Sequence, residues 1–204
     1  MYRSKVWPGV TDISWPYCDL DPTVLANFPN LKKLSCPWLT SLKGIESCPG
    51  ITELWCISSR LVSIEEIRVC THLQHLVTRH SKALISLEGI QGCAMLQILD
   101  CNNNQISSLL PLRSCPKLQY LDCSSNHIVS LRGLKACQQL EHLDCSENRI
   151  TSIWRLRKNC ALKTLNCKHN KIDTFSAIKS LPCLTDINDK GNASDAIQSL
   201  LDEI

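Results

Sequence analysis

The chain has 204 residues, 44% of them apolar and 20% charged, with a formal net charge of +3. That balance excludes a disordered chain, and so small a charge gives no bulk electrostatic reason for a nucleic-acid or anionic-membrane partner. No apolar run approaches the roughly 20 residues that span a bilayer, and the opening MYRSKVWPGVTDISW lacks the apolar core of a secretory signal. An intracellular, cytoplasmic protein is expected.

Residues 1–30 supply bulky cover (Trp7, Trp15, Tyr17 and Phe28) interrupted by prolines, and Val10, Ile13 and Trp15 carry the phase of one divergent unit. From residue 31 the chain repeats. Residues 31–50 read LKKLSCPWLTSLKGIESCPG; residues 51–72 read ITELWCISSRLVSIEEIRVCTH, with Ser59 at a phase later held by Asn; residues 73–95 read LQHLVTRHSKALISLEGIQGCAM, one residue longer, with Thr78 at a phase elsewhere held by Cys. Four regular units of 22 residues follow, from Leu96, Leu118, Leu140 and Leu162. They share L-x-x-L-x-C-x-x-N-x-I-x-x-L/I/F-x-x-L/I. A partial unit starts at Leu184, and SDAIQSLLDEI reads as a capping helix with Ser194 or Asp195 as N-cap and Ile197, Leu200, Leu201 and Ile204 on one face. Residues 1–204 therefore read as one domain, with 1–30 as cap and divergent repeat, 31–183 as repeats, and 184–204 as partial repeat and cap.

In each unit the fourth and sixth positions are two apart and point to one side of a short strand, while the third and fifth point to the other. No unit buries its apolar side alone, so neighbours must stack into a continuous parallel sheet. Asn104, Asn126, Asn148 and Asn170 fall where the chain leaves the strand, and their amides can pair backbone groups that would otherwise be buried and unsatisfied. The later I-x-x-L-x-x-L steps, broken by Pro111, Pro116 and Gly133, predict 3₁₀ or irregular turns on the outer side. Fourteen cysteines could suggest a disulfide framework, but Cys101, Cys123, Cys145 and Cys167 recur every 22 residues, with Cys115 and Cys137 as a second row. Such periodicity marks small buried hydrophobes that stay reduced.

The motif resembles the leucine-rich-repeat family, in its 22-residue subclass, and is similar to the regulatory subunit of type-1 protein phosphatase and to bacterial internalins. The likeness covers about residues 10–192 and departs in carrying Cys where Leu is usual at the second inward strand position. It implies an α/β repeat solenoid: an arc with a parallel concave β-sheet and short 3₁₀ or irregular convex segments. It also implies a non-catalytic scaffold or adaptor that holds another protein on the concave face.

On that face the third and fifth positions put forward His75, Tyr120 and His142 beside Trp55, Asp100, Asp122 and Asp144. Trp38 and Arg79 follow on the turns. Val77 is expected outward at the fifth position, and Trp38, Trp55 and Ile57 are a candidate apolar patch. Stacked Asp100, Asp122 and Asp144 would repel unless bridged, hydrated or bound by a basic partner, although Asp at this phase can equally serve the local backbone. His75, Arg79, His80 and Lys82 cluster in the irregular unit. No catalytic constellation, cofactor motif or paired metal-ligand spacing is present, so no enzyme, cofactor or metal is expected. Lys and Arg are spread over many phases, so nucleic acid is not an expected partner, and a nucleic-acid-associated or purely structural role is the alternative. The chain is expected to be a monomer without membrane contact.

Overall fold

The computed structural model describes residues 6–15 and 22–193. Nine three-residue strands form one parallel sheet in sequence order: β1 (Asp12–Ser14), β2 (Lys33–Ser35), β3 (Glu53–Trp55), β4 (His75–Val77), β5 (Ile98–Asp100), β6 (Tyr120–Asp122), β7 (His142–Asp144), β8 (Thr164–Asn166) and β9 (Asp186–Asn188). The register is constant, so Ile13, Leu34, Leu54, Leu76, Leu99, Leu121, Leu143, Leu165 and Ile187 align in one inward row. Because side chains alternate along a strand, one inward residue per strand leaves two facing out.

Between strands the chain returns through eight short 3₁₀ turns: η1 (Pro22–Asn27), η2 (Ile45–Ser47), η3 (Glu65–Val69), η4 (Ile90–Gly92), η5 (Leu110–Ser114), η6 (Arg132–Ala136), η7 (Trp154–Lys158) and η8 (Ser176–Ser180). No α-helix occurs among the described residues. The three-residue apolar steps explain the preference for 3₁₀, since each turn lays only one or two apolar side chains on the core. Gly92 and Gly133 sit where successive turns touch: a Cβ there would lie 1.9 Å from the Arg68 carbonyl oxygen and 1.7 Å from that of Leu109.

A single apolar core runs the length of the arc, from Ile13 to Leu181. Trp15 and Phe28 close its first end, their rings edge-on with centroids 6.0 Å apart. The remaining cap residues, Tyr17 and the helix from Ser194 to Ile204, lie outside the described residues.

Two ladders of polar side chains recur along the arc, and the first ties the coils together. Asn104, Asn126, Asn148, Asn170 and Asn192 each donate Nδ2 to a strand-end carbonyl of the preceding repeat and to a carbonyl of their own turn. From Asn126 onward, each Oδ1 also accepts an N–H of the preceding repeat, from Ile106, Ile128, Ile150 and Ile172 in turn, at 2.9 to 3.0 Å. A second ladder went unread in the sequence. Ser41, Ser63, Ser86, Ser108, Ser152 and Thr174 share one phase, and each hydroxyl accepts the N–H two residues on, at 3.1 to 3.5 Å. This bond caps the entry to the convex turn.

Among the described residues all thirteen cysteines are free thiols, eleven of them buried. The second row is more than apolar filling. The thiols of Cys48, Cys93, Cys115 and Cys137 donate, at 3.4 to 3.8 Å, to carbonyls of the preceding repeat. Asn159 takes the next place in that row and reaches the Leu134 and Cys137 carbonyls at 2.9 and 2.7 Å.

Candidate functional site

The turn after each strand brings the eighth position of every repeat into the left-handed region, where Trp38, Ser58, His80, Asn103, Ser125, Glu147 and His169 have φ between 51° and 70° and Gly191 has φ 75°. Only Gly191 is free of the Cβ penalty there. The fixed backbone aims the strand residues across the concave face. The irregular unit adds Lys82, also left-handed, two residues after His80. Its extra residue disturbs the ladders, since Thr78 Oγ1 and Asn104 Oδ1 are buried with no partner, while the Ser59 and Ser81 hydroxyls pair at 2.7 Å where the Asn column would run.

At the first end of the arc, Asp12, Ser14, Lys33, Ser35, Glu53 and Trp55 line an open recess of about 410 Å³. Lys33 Nζ lies 2.9 Å from Glu53 Oε1, His75 Nδ1 lies 3.9 Å from the same oxygen, and Trp55 Nε1 donates to Glu53 Oε2 at 3.4 Å. The hydrogen bond from Lys33 holds the Glu53 carboxyl below its ordinary range. Trp55 is therefore an exposed ring hinged to a charged pair. Trp38 is not part of this recess. It is half exposed on the turn where the shortened repeat lacks two residues, and Ile57 is half-buried, so the expected three-residue patch reduces to Trp55 on the strand grid.

Val77 is a second departure. It lies in register between Trp55 and Asp100 and is 3% exposed, so it is covered and not presented. Beyond it the Asp row solves its own repulsion. Asp100 Oδ1 accepts from the Asn102 backbone and side-chain amides, Asp122 Oδ1 accepts from the backbone and hydroxyl of Ser124, and Asp144 Oδ1 does the same with Ser146. The second oxygens are bridged between strands, since Asn102 Nδ2 donates to Asp122 Oδ2 at 3.0 Å and Asn166 Nδ2 to Asp144 Oδ2 at 2.7 Å. No cation is needed to hold the row together. Burial raises the Asp100 carboxyl above its ordinary value; the Asn102 amide opposes this, neighbouring Asp122 adds to it, and Arg79, 3.7 Å away, again opposes it.

At the far end, Tyr120, His142, Asp144, Thr164, Asn166 and Asn188 line a recess of about 340 Å³. The Tyr120 and His142 rings lie 6.4 Å apart, and His142 Nδ1 pairs with Thr164 Oγ1 at 2.9 Å. Burial and then the three Asp charges push the Tyr120 phenol up, so it remains a neutral donor. The predicted residues thus separate into Trp55 and His75 at one end, Tyr120, His142 and Asp144 at the other, and Arg79, Asp100 and Asp122 between them. Among the described residues no group of three or more His, Cys, Asp or Glu side chains is placed to hold a metal ion, and no helix is long and apolar enough to cross a membrane.

Residues 95–136 and 138–180 match the family model described as "Leucine Rich repeats (2 copies)". No curated protein sequence matches the chain. Among solved structures, the internalin InlF of Listeria monocytogenes is similar in fold, with a TM-score of 0.81 at 20% identity over 93% of this chain and 55% of that one. Internalin C2 of the same organism gives a TM-score of 0.76 at 24% identity over 86% of this chain and 77% of that one. The plant peptide hormone receptor RGFR1 in complex with RGF2 also gives 0.76, at 22% identity over 90% of this chain and 32% of that one. The chain thus spans little more than half the length of the InlF structure. With two matched segments, a register that advances one repeat per strand, and this shared architecture, residues 95–136 and 138–180 are leucine-rich repeats and the chain has the leucine-rich-repeat solenoid fold.

Proposed function

We propose that the protein is a non-catalytic scaffold that holds another protein on its concave face. The observation that carries this reading is the pair of recesses at opposite ends of one rigid sheet. One is built on Trp55 beside the Lys33–Glu53 pair, the other on Tyr120 and His142, with a half-buried acidic row between them. Exposed aromatics with few rotors anchor interfaces, and a preorganised grid loses little entropy on binding. The acidic row selects a basic segment of the partner, since the Asp122 and Asp144 carboxylates are fixed by hydrogen bonds without being neutralised. A peptide hormone receptor of the same fold, solved with its ligand, supports peptide or protein capture.

The test is affinity capture from lysate with wild type and the triple variant Trp55→Ser, Tyr120→Ser, Asp122→Lys, after circular dichroism shows both folded. A protein retained by wild type, lost by the triple variant, and still retained by a convex-face variant such as Arg132→Glu supports the concave site. Equal retention by wild type and the triple variant refutes it.

A further inference from the structure

The Lys and Arg residues that look scattered in the sequence converge in the fold. The four consecutive convex turns η5 to η8 carry Arg113, Arg132, Lys135, Arg155, Arg157, Lys158 and Lys179, and none contains Asp or Glu. The preceding turns differ, with Glu46 in η2 and Glu65 and Glu66 in η3. The switch from acidic to basic convex surface thus falls between η3 and η5, spanning the irregular repeat.

Within the basic stretch, an open groove of about 380 Å³ separates η6 from η7. Arg132 and Arg155 stand on it, and Ser130, Thr151, Ser152 and Trp154 complete most of its lining. Among the described residues neither arginine has a carboxylate partner. Ser130 stands in the hydroxyl column that elsewhere caps a convex turn. Trp154 is 50% exposed, and the Arg157 guanidinium lies 4.4 Å from the centre of its ring. A cation stacked on the indole holds it in place and lowers the cost of using it as a platform.

We propose that this convex face is a second binding site, separate from the concave one, for single-stranded nucleic acid: Trp154 stacks a base while Arg132 and Arg155 hold flanking phosphates. Four consecutive turns with seven Lys or Arg and no carboxylate of their own are the electrostatic footprint of a polyanion site, with Asp173 before η8 the exposed acidic side chain at the phase of Val129 and Thr151. Free guanidinium and hydroxyl donors suit phosphate oxygens, and an exposed indole suits a base. An acidic polypeptide would meet the charges but leave the indole unused. A duplex is a stiff rod that touches an outward-curving surface over little area, whereas a single strand follows it. With neighbouring strands about 5 Å apart and the turns on the outer side of the arc, the four turns span at least roughly 15 Å, a footprint of a few nucleotides.

The experiment is fluorescence anisotropy of the full chain with labelled oligonucleotides of about 12 residues, deoxythymidine and uridine, at about 50 and about 200 mM salt. Saturable binding is expected, weakening about tenfold to hundredfold between those salts for three to five phosphate contacts. Trp154→Ala is expected to weaken it about fivefold or more with the salt slope unchanged, and the double variant Arg132→Glu, Arg155→Glu to reduce both affinity and slope. The concave triple variant should bind like wild type, which keeps the failure of one site distinct from the failure of the other. Absence of saturable binding at the lower salt overturns the proposal. So does a Trp154→Ala variant equal to wild type, or polyglutamate competing as well as the oligonucleotide, which would leave a polyanion surface without base recognition.

Discussion

Asn126 and Asn104 occupy the same phase of neighbouring repeats, yet their removal should differ in cost. Asn126→Ala strips Nδ2 from the Cys101, Cys123 and Ser124 carbonyls and Oδ1 from the Ile106 N–H. The carbonyls keep other donors: Asn104 on Cys101, Asn148 on Cys123, and the Asn103 N–H on Ser124. The Ile106 N–H keeps none and is buried. Asn104→Ala also releases three carbonyls, those of Thr78, Cys101 and Asn102, and each retains a donor, from the Ser81 hydroxyl, Asn126 and the His80 N–H respectively. It orphans no N–H, because Asn104 Oδ1 has no partner to lose. The void left by the two truncations is alike, so the difference isolates one buried donor, about 1–3 kcal/mol. Urea unfolding followed by circular dichroism should place Asn126→Ala below Asn104→Ala by that amount at equal m-value, or about 2–4 °C of Tm per kcal/mol. If Asn104→Ala proves equally or more destabilising, the ladder does not work through the Oδ1 bond and the reasoning fails.

Asp100→Asn should stabilise the fold at neutral pH. A carboxyl whose folded pKa is raised contributes stability present below its unfolded pKa and lost as pH rises through the folded one, so the variant's advantage should appear above about pH 4, grow with pH, and vanish in acid. Equal advantage across the range would refute burial as the cause. Gly133→Ala should cost about 1–3 kcal/mol by forcing η5 and η6 apart, read as a lowered urea midpoint, since the new methyl would sit 1.7 Å from a carbonyl oxygen. In native thiol titration, Cys160 and Cys183 should react quickly, and the eleven buried thiols only at the rate of unfolding, because burial pushes Cys48 up to about 11 and Cys70 and Cys93 up to about 12. A Cys160→Ser, Cys183→Ser variant that still loses several thiols rapidly would show that the core opens locally.

Much of this fold was legible because a solenoid writes each structural role at a fixed period. Leu99, Leu121, Leu143 and Leu165 reveal the inward row, and Asn104 to Asn170 the turn ladder, since every copy solves the same packing problem. The hydroxyl column at Ser41, Ser63, Ser86 and Ser108 was equally periodic, but exposed Ser carries no burial signal and passed as surface. The site was less legible. Whether Asp122 is a bare charge or a capped one depends on Ser124 and on Asn102 one strand away, and whether Val77 is presented depends on neighbours contributed by other repeats. The convex cations were missed for the same reason. Arg132 and Arg155 are 23 residues apart in sequence yet line one groove.

The same geometry gives the repeats that start at Leu118 and Leu140 opposite charges on opposite faces, with Asp122 and Asp144 on the strands and Arg132 and Arg155 on the turns behind them. Each coil is tied to the one before it by its Asn ladder, so neither face can reorganise without breaking bonds to the neighbouring repeat. The two faces share no side chain, and a close-packed core of Leu121, Leu134, Leu143 and Leu156 stands between them. Substitutions on separate surfaces with no common partner add independently. A basic partner in front and an anionic strand behind would therefore bind without competing, and one rigid block would hold both at a set distance. Coupled affinities, with either ligand weakening the other severalfold, would show that the coils do shift.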